Sequence, residues 1–237
     1  MKRLYIIKAG TTYPVIKERF GDFDTWTLQG LGKTKTEARV LDAVSGAALP
    51  IAADCAGVIL TGSHSMVTDD LPWSVELEEW IPSVVEAGVP FLGICYGHQL
   101  LARAAGGEVG FHPRGMEIGT VEIGLLPDCA GDPLFRSLPQ QFSVHAAHSQ
   151  TVLRLPRRAV RLAVGGHEPN HAFRIGGNAW GIQFHPEYDA AIMRSYIAKL
   201  ADELVSAGFD VRELLDAVAE TPLAARTLRN FARIVEN

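Results

Sequence analysis

The sequence predicts an α/β fold with a mostly parallel central sheet covered by helices on both faces. Three observations carry that expectation. Short apolar runs of the fully buried type recur at residues 4–8, 57–61 and 89–94. Helix-period stretches at 74–88 and 98–105 alternate with them, as in parallel sheets. Two of the runs end in glycine-containing turns, Gly62-Ser63-His64-Ser65 and Gly93-Ile94-Cys95-Tyr96-Gly97. Those turns fall at the carboxyl ends of strands, the edge where ligands bind in open α/β sheets.

Taken in order, residues 4–8 read as the first strand. The basic start MKR precedes an apolar run too short for a secretory leader. Residues 11–32 are polar and aromatic, with Asp24 as the expected cap of a short helix through Leu28. Gly32-Lys33-Thr34 looks like the end of a phosphate loop, but such a loop needs glycine five residues before the Gly-Lys, and Thr27 stands there. Residues 39–44 and 57–61 read as further strands. In the helix at 74–88, Val75, Leu77, Ile81, Val84 and Val85 share one side, with Glu76, Glu78, Glu79 and Glu86 mostly opposite. Gly88 suits its end, and Pro82 predicts a kink or restart. The strand at 89–94 and the helix at 98–105 follow, ending near Gly106-Gly107.

Beyond Gly107 the texture changes to short strands, in 108–124 and at 142–145, 151–155, 160–164, 172–175 and 179–184. Asp132-Pro133 suggests a cap and first-turn proline for a short helix through Ser137. Helical patterns occupy 190–207, 211–219 and 223–235. No repeat, low-complexity tract or linker divides the chain, so residues 1–237 are expected to form one domain, with 190–237 as its helical extension.

Composition narrows the function classes. The chain has 237 residues, 47% hydrophobic and 21% charged, which is ordinary for a soluble globular protein. Its net charge is -5, and its 22 Lys and Arg are dispersed, which argues against a nucleic-acid or anionic-membrane surface. No apolar run approaches a membrane span. The three cysteines, Cys55, Cys95 and Cys129, have no zinc-like spacing. Their odd number, without a leader, predicts free thiols in a reducing cytoplasm. Cys55 and Cys129 read as structural.

Cys95 differs because of its flanks. A strand that turns sharply into a helix needs small residues beside the tip, since side chains there would meet neighbouring backbone. Gly-x-Cys-x-Gly has the form of the nucleophile elbow known for serine. A negative charge on the sulfur would meet the positive end of the helix dipole. A nucleophilic cysteine also needs a base. Of eight histidines, His185 has the fitting context: it follows the apolar segment AWGIQF at an expected strand end, and Pro186 holds it extended. Residues two apart then point the same way, so Glu187 can accept a hydrogen bond from one imidazole nitrogen while the other faces the cysteine.

Gly-Ile-Cys-Tyr-Gly-His-Gln at 93–99, together with His-Pro-Glu at 185–187, resembles the class I (triad) glutamine amidotransferase family. In detail the chain is similar to its stand-alone, GMP-synthase-like members, from Leu4 to about Glu187. The resemblance implies a flavodoxin-like three-layer α/β sandwich. It implies Cys95 as nucleophile, His185 as base and Glu187 as the acid that orients it. Gly62 and Tyr96 match the two backbone N–H donors of the oxyanion hole, and Gln99 matches a glutamine that contacts substrate. Residues 147–152 resemble the family's Ser-His-Gly-Asp-x-Val loop, which places His148, Ser149 and Gln150 at the substrate's amino-acid end. Here Ser149 replaces glycine and Gln150 replaces the acid. His64 is expected to be a polar turn residue rather than a pocket wall, and His98 a packing or wall residue.

The implied chemistry is hydrolysis of the γ-carboxamide of L-glutamine through a γ-glutamyl thioester on Cys95, with release of ammonia and glutamate. It calls for no metal or organic cofactor. The ammonia would pass to a separate synthase subunit, or the chain would act as a free-standing hydrolase. A γ-glutamyl peptide or amide hydrolase with the same triad is the alternative. A non-catalytic binding module on the same fold is the alternative of another class.

Overall fold

A computed structural model describes residues 2–237. Five strands form its parallel half: β1 (Arg3–Lys8), β2 (Ala38–Asp42), β3 (Cys55–Leu60), β4 (Phe91–Ile94) and, from late in the chain, β11 (Ala179–Ile182). The intervening segment supplies β5 (Glu108–Phe111), β6 (Glu117–Leu125), β7 (Gln141–His148), β8 (Gln150–Arg154), β9 (Ala159–Gly165) and β10 (Ala172–Ile175). The large sheet runs β2-β1-β3-β4-β11-β10-β9-β6-β7, and β5 pairs with β8 in a separate antiparallel ribbon. The parallel order expected from the first hundred residues therefore continues into an antiparallel extension. Its outer end reaches back to the parallel edge, where the His185 N–H donates to the His145 carbonyl at 2.8 Å.

Strand alternation makes the layers. In β1, Leu4 and Ile6 join a core with Ile59, Leu92, Ile94 and Trp180, which α8 (Arg226–Val235) covers through Leu228 and Phe231. Tyr5 and Ile7 face the other way, toward Val58, Leu60 and Phe91. There α3 (Pro72–Glu86) and α4 (Tyr96–Ala104) close the core with Leu77, Ile81, Val84, Leu100 and Leu101. Helices on both faces of this sheet give the three-layer, flavodoxin-like sandwich. A third cluster lies where α1 (Pro14–Phe20) and α2 (Phe23–Leu31) meet α5 (Ala190–Lys199), with α6 (Ala201–Ser206) and α7 (Val211–Ala217) beside it. Among the described residues no helix is long and apolar enough to cross a membrane.

Several expectations are corrected. Asp22, not Asp24, caps α2: its Oδ1 accepts from the Phe23 and Thr12 N–H groups at 2.9 Å each, and its Oδ2 pairs with Lys8 at 2.8 Å. A carboxylate buried to this depth needs several donors, and only position 22 meets them. A separate helix, α1, precedes it, entered by Pro14 at its first turn. In α3 the buried stripe is Ser74, Leu77, Ile81 and Val84, Val75 is exposed, and the helix continues through Pro82 without a restart. No helix follows Asp132. Its carboxylate accepts from the Leu134 N–H at 2.9 Å and from Trp180 Nε1 at 3.1 Å, and pairs with Arg174, so tertiary partners replace the cap role. The helical pattern at 190–207 divides at Leu200 into α5 and α6, and α8 begins at Arg226 rather than Leu223.

The crossing of α4 over β3 and β4 is the tightest point near the carboxyl edge. A Cβ on Gly93 would lie 2.3 Å from the Gly97 carbonyl oxygen, and one on Gly97 would lie 2.4 Å from the Leu60 carbonyl oxygen. Backbone cannot yield as a side chain can. Gly93→Ala and Gly97→Ala are each expected to destabilise the protein by about 3 kcal/mol or more. The check is a urea midpoint that falls while the slope stays constant. An unchanged midpoint would show that the contact is not constraining.

Candidate active site

Cys95 lies between β4 and α4 with φ 49° and ψ -97°, a conformation that costs a non-glycine residue energy and recurs at functional turns. The Cys95 N–H donates to the Ile182 carbonyl of β11 at 2.8 Å, which ties the turn to the strand leading to His185. The sulfur is nearly buried, 3.9 Å from the Ala147 carbonyl oxygen.

His185 follows β11 by three residues. Its Nδ1 is 2.8 Å from Glu187 Oε1. The ring stacks on Tyr188 with centroids 4.1 Å apart and lies roughly parallel to Phe23 at 6.5 Å. Burial alone would disfavour the imidazolium. The charges of Glu187 and Cys95 outweigh it and push the His185 pKa up to about 10. The structure thus brings Cys95, His185 and Glu187 into one electrostatic unit.

Gly62 follows β3 at the same edge, and a Cβ there would lie 3.0 Å from His185 Cε1. Tyr96 is the first residue of α4, so its N–H has no acceptor within the helix. Among the described residues, neither the Gly62 nor the Tyr96 amide donates a backbone hydrogen bond outside the regular ladders. The Tyr96 N–H lies at a helix N-terminus directly after the sulfur-bearing residue, a place that favours negative charge, and Gly62 lies against His185 at the same edge.

A cavity of about 200 Å³ opens onto Cys95. Gln99 lines it, with Nε2 donating to the Gln150 carbonyl at 2.7 Å and to Gln183 Oε1 at 3.0 Å. The 148–150 loop also reaches the cavity, but its side chains divide. His148 Nε2 is 3.0 Å from Glu117 Oε2, and its Nδ1 is 2.9 Å from the Gln150 carbonyl. The Gln150 side chain accepts from the Val67 N–H at 3.0 Å and donates to Thr68 Oγ1 at 2.6 Å. The polar atoms of His148 and Gln150 thus hold the loop in place, and Ser149 is left as its unengaged polar side chain beside the cavity.

His64 is a cavity wall, contrary to the expectation of a plain turn residue. Its ring packs on Tyr13 at 4.2 Å, and its Nε2 meets the Tyr196 hydroxyl at 3.1 Å. Burial, then the nearby His185 charge, pushes the His64 pKa down to about 4, so it is neutral at pH 7. Tyr13 and Tyr196 complete this aromatic side, and Tyr188 links it to His185. None of the three carries a motif signal in the sequence, although Tyr188 directly follows His-Pro-Glu. His98 is fully buried against Phe173 at 4.8 Å, as a packing residue should be. Among the described residues no three His, Cys, Asp or Glu side chains are grouped to hold a metal.

Residues 18–204 match the family model for glutamine amidotransferase class I. The chain belongs to this family. It is 41% identical over 150 residues to a GMP synthase (glutamine-hydrolyzing) of Aeropyrum pernix, covering 63% of this chain and 27% of that protein. It is 30% identical over 148 residues to γ-glutamyl peptidase 5 of Arabidopsis thaliana, covering 62% and 59%. The chain thus spans about a quarter of the synthase's length and under two thirds of the peptidase's. A crystal structure of a Thermotoga maritima glutamine amidotransferase superposes with a TM-score of 0.78 at 28% identity, covering all of both chains.

Two outcomes follow from the charges. Burial, then a neighbouring carboxylate, pushes the Cys55 thiol up to about 11 and the Cys129 thiol up to about 12. Iodoacetamide at pH 8 is expected to modify Cys95 at least ~10-fold faster than either, read by peptide mass spectrometry. Equal labelling of all three would contradict the assignment of Cys95 as the reactive thiol. Glu117 is the second test. Burial raises its pKa, but His148 and the His171 Nε2, 3.3 Å away, outweigh that and hold it well below the usual carboxylate range. A depressed folded-state pKa contributes stability above the unfolded value near 4.5, and that stability declines as pH falls toward the folded value. Glu117→Gln should cost about 3 kcal/mol at pH 7. The difference from the unmodified protein should shrink below pH 4.5, and a pH-independent difference would refute the pairing.

Proposed function

We propose that the chain hydrolyses the γ-carboxamide of L-glutamine. The carrying observation is the 2.8 Å His185–Glu187 bond beside Cys95 at the tip of a strained strand-to-helix turn. Cys95 sulfur attacks the amide carbon. The tetrahedral oxyanion takes hydrogen bonds from the Gly62 and Tyr96 N–H groups, each worth on the order of 3 kcal/mol in barrier. His185, protonated at neutral pH, gives its proton to the leaving nitrogen. Ammonia departs, and a γ-glutamyl thioester remains on Cys95. His185, now neutral, takes a proton from water, whose oxygen attacks the thioester. Glutamate leaves, and the sulfur and imidazolium are restored. Gln99 and Ser149 hold the amino-acid end, and Glu187 fixes the tautomer and orientation of His185 throughout. In this reading the ammonia passes to a separate synthase subunit.

A second reading has one observation in its favour. The cavity extends to an apolar and aromatic side built by Tyr13, Tyr196 and Leu200, which gives surface to a substituent larger than hydrogen on the scissile nitrogen. That substrate would be a γ-glutamyl peptide or amide, and the triad chemistry would be the same.

The assay is release of ammonia, amine or amino acid from glutamine and from a panel of γ-glutamyl amides and peptides. Turnover of glutamine supports the first reading, and turnover of conjugates alone supports the second. Cys95→Ala should abolish either, and Glu187→Gln should lower kcat ~100-fold or more. Failure to turn over any member of the panel would overturn both. A pH profile adds a signed test. The raised His185 pKa is expected to hold kcat/KM up through pH 9, with a decline near 10 as the proton is lost. Because Glu187 raises that pKa, Glu187→Gln should move the alkaline limb to lower pH. An unmoved limb would show that His185 is not the titrating group.

A further inference from the structure

Gln183 takes no part in the steps above, yet it is fully buried two residues before His185. Its backbone N–H donates to the His171 carbonyl at 2.8 Å, and its Oε1 accepts from Gln99 Nε2 at 3.0 Å. Gln99 stands one helical turn after Cys95, on the helix that the nucleophile caps. Its other amide hydrogen goes to the Gln150 carbonyl at 2.7 Å. The same carbonyl accepts from His148 Nδ1, and His148 Nε2 meets Glu117. Glu117 Oε2 also lies 3.3 Å from His171 Nε2. The contacts close a ring through Glu117, His148, Gln150, Gln99, Gln183 and His171. All six residues are buried. The ring joins β6, the substrate loop, the nucleophile's helix and the segment carrying the base.

The ring decides which way the Gln99 amide points. A glutamine amide presents a donor face and an acceptor face of nearly equal shape, and only its neighbours choose between them. The Gln150 backbone carbonyl can only accept, which commits one hydrogen of the Gln99 amino group inward, and Gln183 presents Oε1 to the other. Its carbonyl oxygen remains for the cavity that Gln99 lines. Without Gln183, one inward acceptor is lost and the side chain regains rotational freedom.

We infer that Gln183 is a positioning residue, which orients the Gln99 amide so that its carbonyl oxygen faces the cavity as an acceptor for an N–H group of the γ-glutamyl substrate. This rests on the proposed function for the identity of the substrate. It is separable from that reading because its test needs capture and no turnover.

The experiment compares two reagents that both alkylate Cys95. The chloromethyl ketone analogue of L-glutamine carries the amino-acid end, and iodoacetamide does not. Inactivation rates are measured for the unmodified protein, Gln183→Met, Gln99→Met and the double variant, with folding checked by circular dichroism. Gln183→Met should slow capture of the glutamine analogue ~10-fold, about the effect of one hydrogen bond, and leave the iodoacetamide rate within ~2-fold. In the Gln99→Met background the further loss should vanish, because the residue through which Gln183 acts is gone. Gln183→Leu, which also lacks the acceptor, serves if Gln183→Met does not fold. Equal slowing of both reagents would overturn the inference, since a distorted site affects both. Additive losses in the double variant would overturn it too, as would an unmodified protein that shows no preference for the analogue. A protein that captures the analogue but leaves glutamine intact would refute the glutaminase reading alone.

Discussion

The backbone contact between α4 and the two strands beneath it is the constraint on which the site depends. Gly93 and Gly97 let the helix settle directly on β3 and β4, where any side chain would meet carbonyl oxygens. Because the helix begins so close to the sheet, the connecting residue has no room for a relaxed turn, and Cys95 takes a positive φ. The sulfur is thereby held at the carboxyl edge of the parallel strands, with the first N–H of the helix beside it. The same edge brings Gly62 from β3 and His185 from beyond β11 to the same point. Three strands, β3, β4 and β11, bring residues as distant in sequence as Gly62 and His185 to one candidate site because they are neighbours in one parallel sheet.

This explains what was legible in the sequence and what was not. The elbow could be read because its requirement is local: a tight strand-to-helix turn leaves its glycines in the chain. His185 and Glu187 could be read because their spacing is two and a proline fixes the intervening backbone. The parallel half of the sheet announced itself as short apolar runs. The side-chain assignments that failed depended on partners distant in sequence. Asp22 outcompetes Asp24 as a cap because Lys8 and the Thr12 amide converge on it. Asp132 has the pattern of a helix start, but Trp180 and Arg174 claim its carboxylate. His148 and Gln150, in the loop that resembles a substrate loop, do line the cavity; that Glu117 and Thr68 also engage their side chains is not signalled locally. The aromatic wall was invisible for the same reason: Tyr13 and Tyr196 sit near opposite ends of the chain, and no spacing rule connects them.

The wall also governs the electrostatics of the base. A stacked series runs from His185 to Tyr188 and on to Tyr196, whose hydroxyl meets His64 and Thr12. It links the C-terminal helices to the candidate site, so α5 forms part of the surroundings of His185. Apart from His185 itself, its titratable groups are uncharged at neutral pH. The phenols of Tyr188 and Tyr196 are pushed up, chiefly by burial, and His64 is pushed down for the same first reason. His145, whose carbonyl holds the His185 N–H, is likewise pushed down to about 4. Among the described residues, Glu187 and Cys95 are the groups that answer the charge of the imidazolium.

That dependence gives the proposed first step its direction. In the resting site, burial works against the His185 charge, and two partners together overcome it. In the proposed step, the bond from sulfur to the amide carbon leaves the negative charge on the oxyanion, for which the Gly62 and Tyr96 amides are the proposed donors. One of the two supports of the imidazolium is then gone while the desolvation cost remains. The pKa of His185 falls at the moment when the leaving nitrogen needs a proton, and the proton moves toward the nitrogen as it becomes basic. Glu187 keeps the ring in place throughout. The buried aromatic setting thus makes proton transfer contingent on attack by the sulfur. In water the same imidazole would hold its proton almost independently of the state of Cys95.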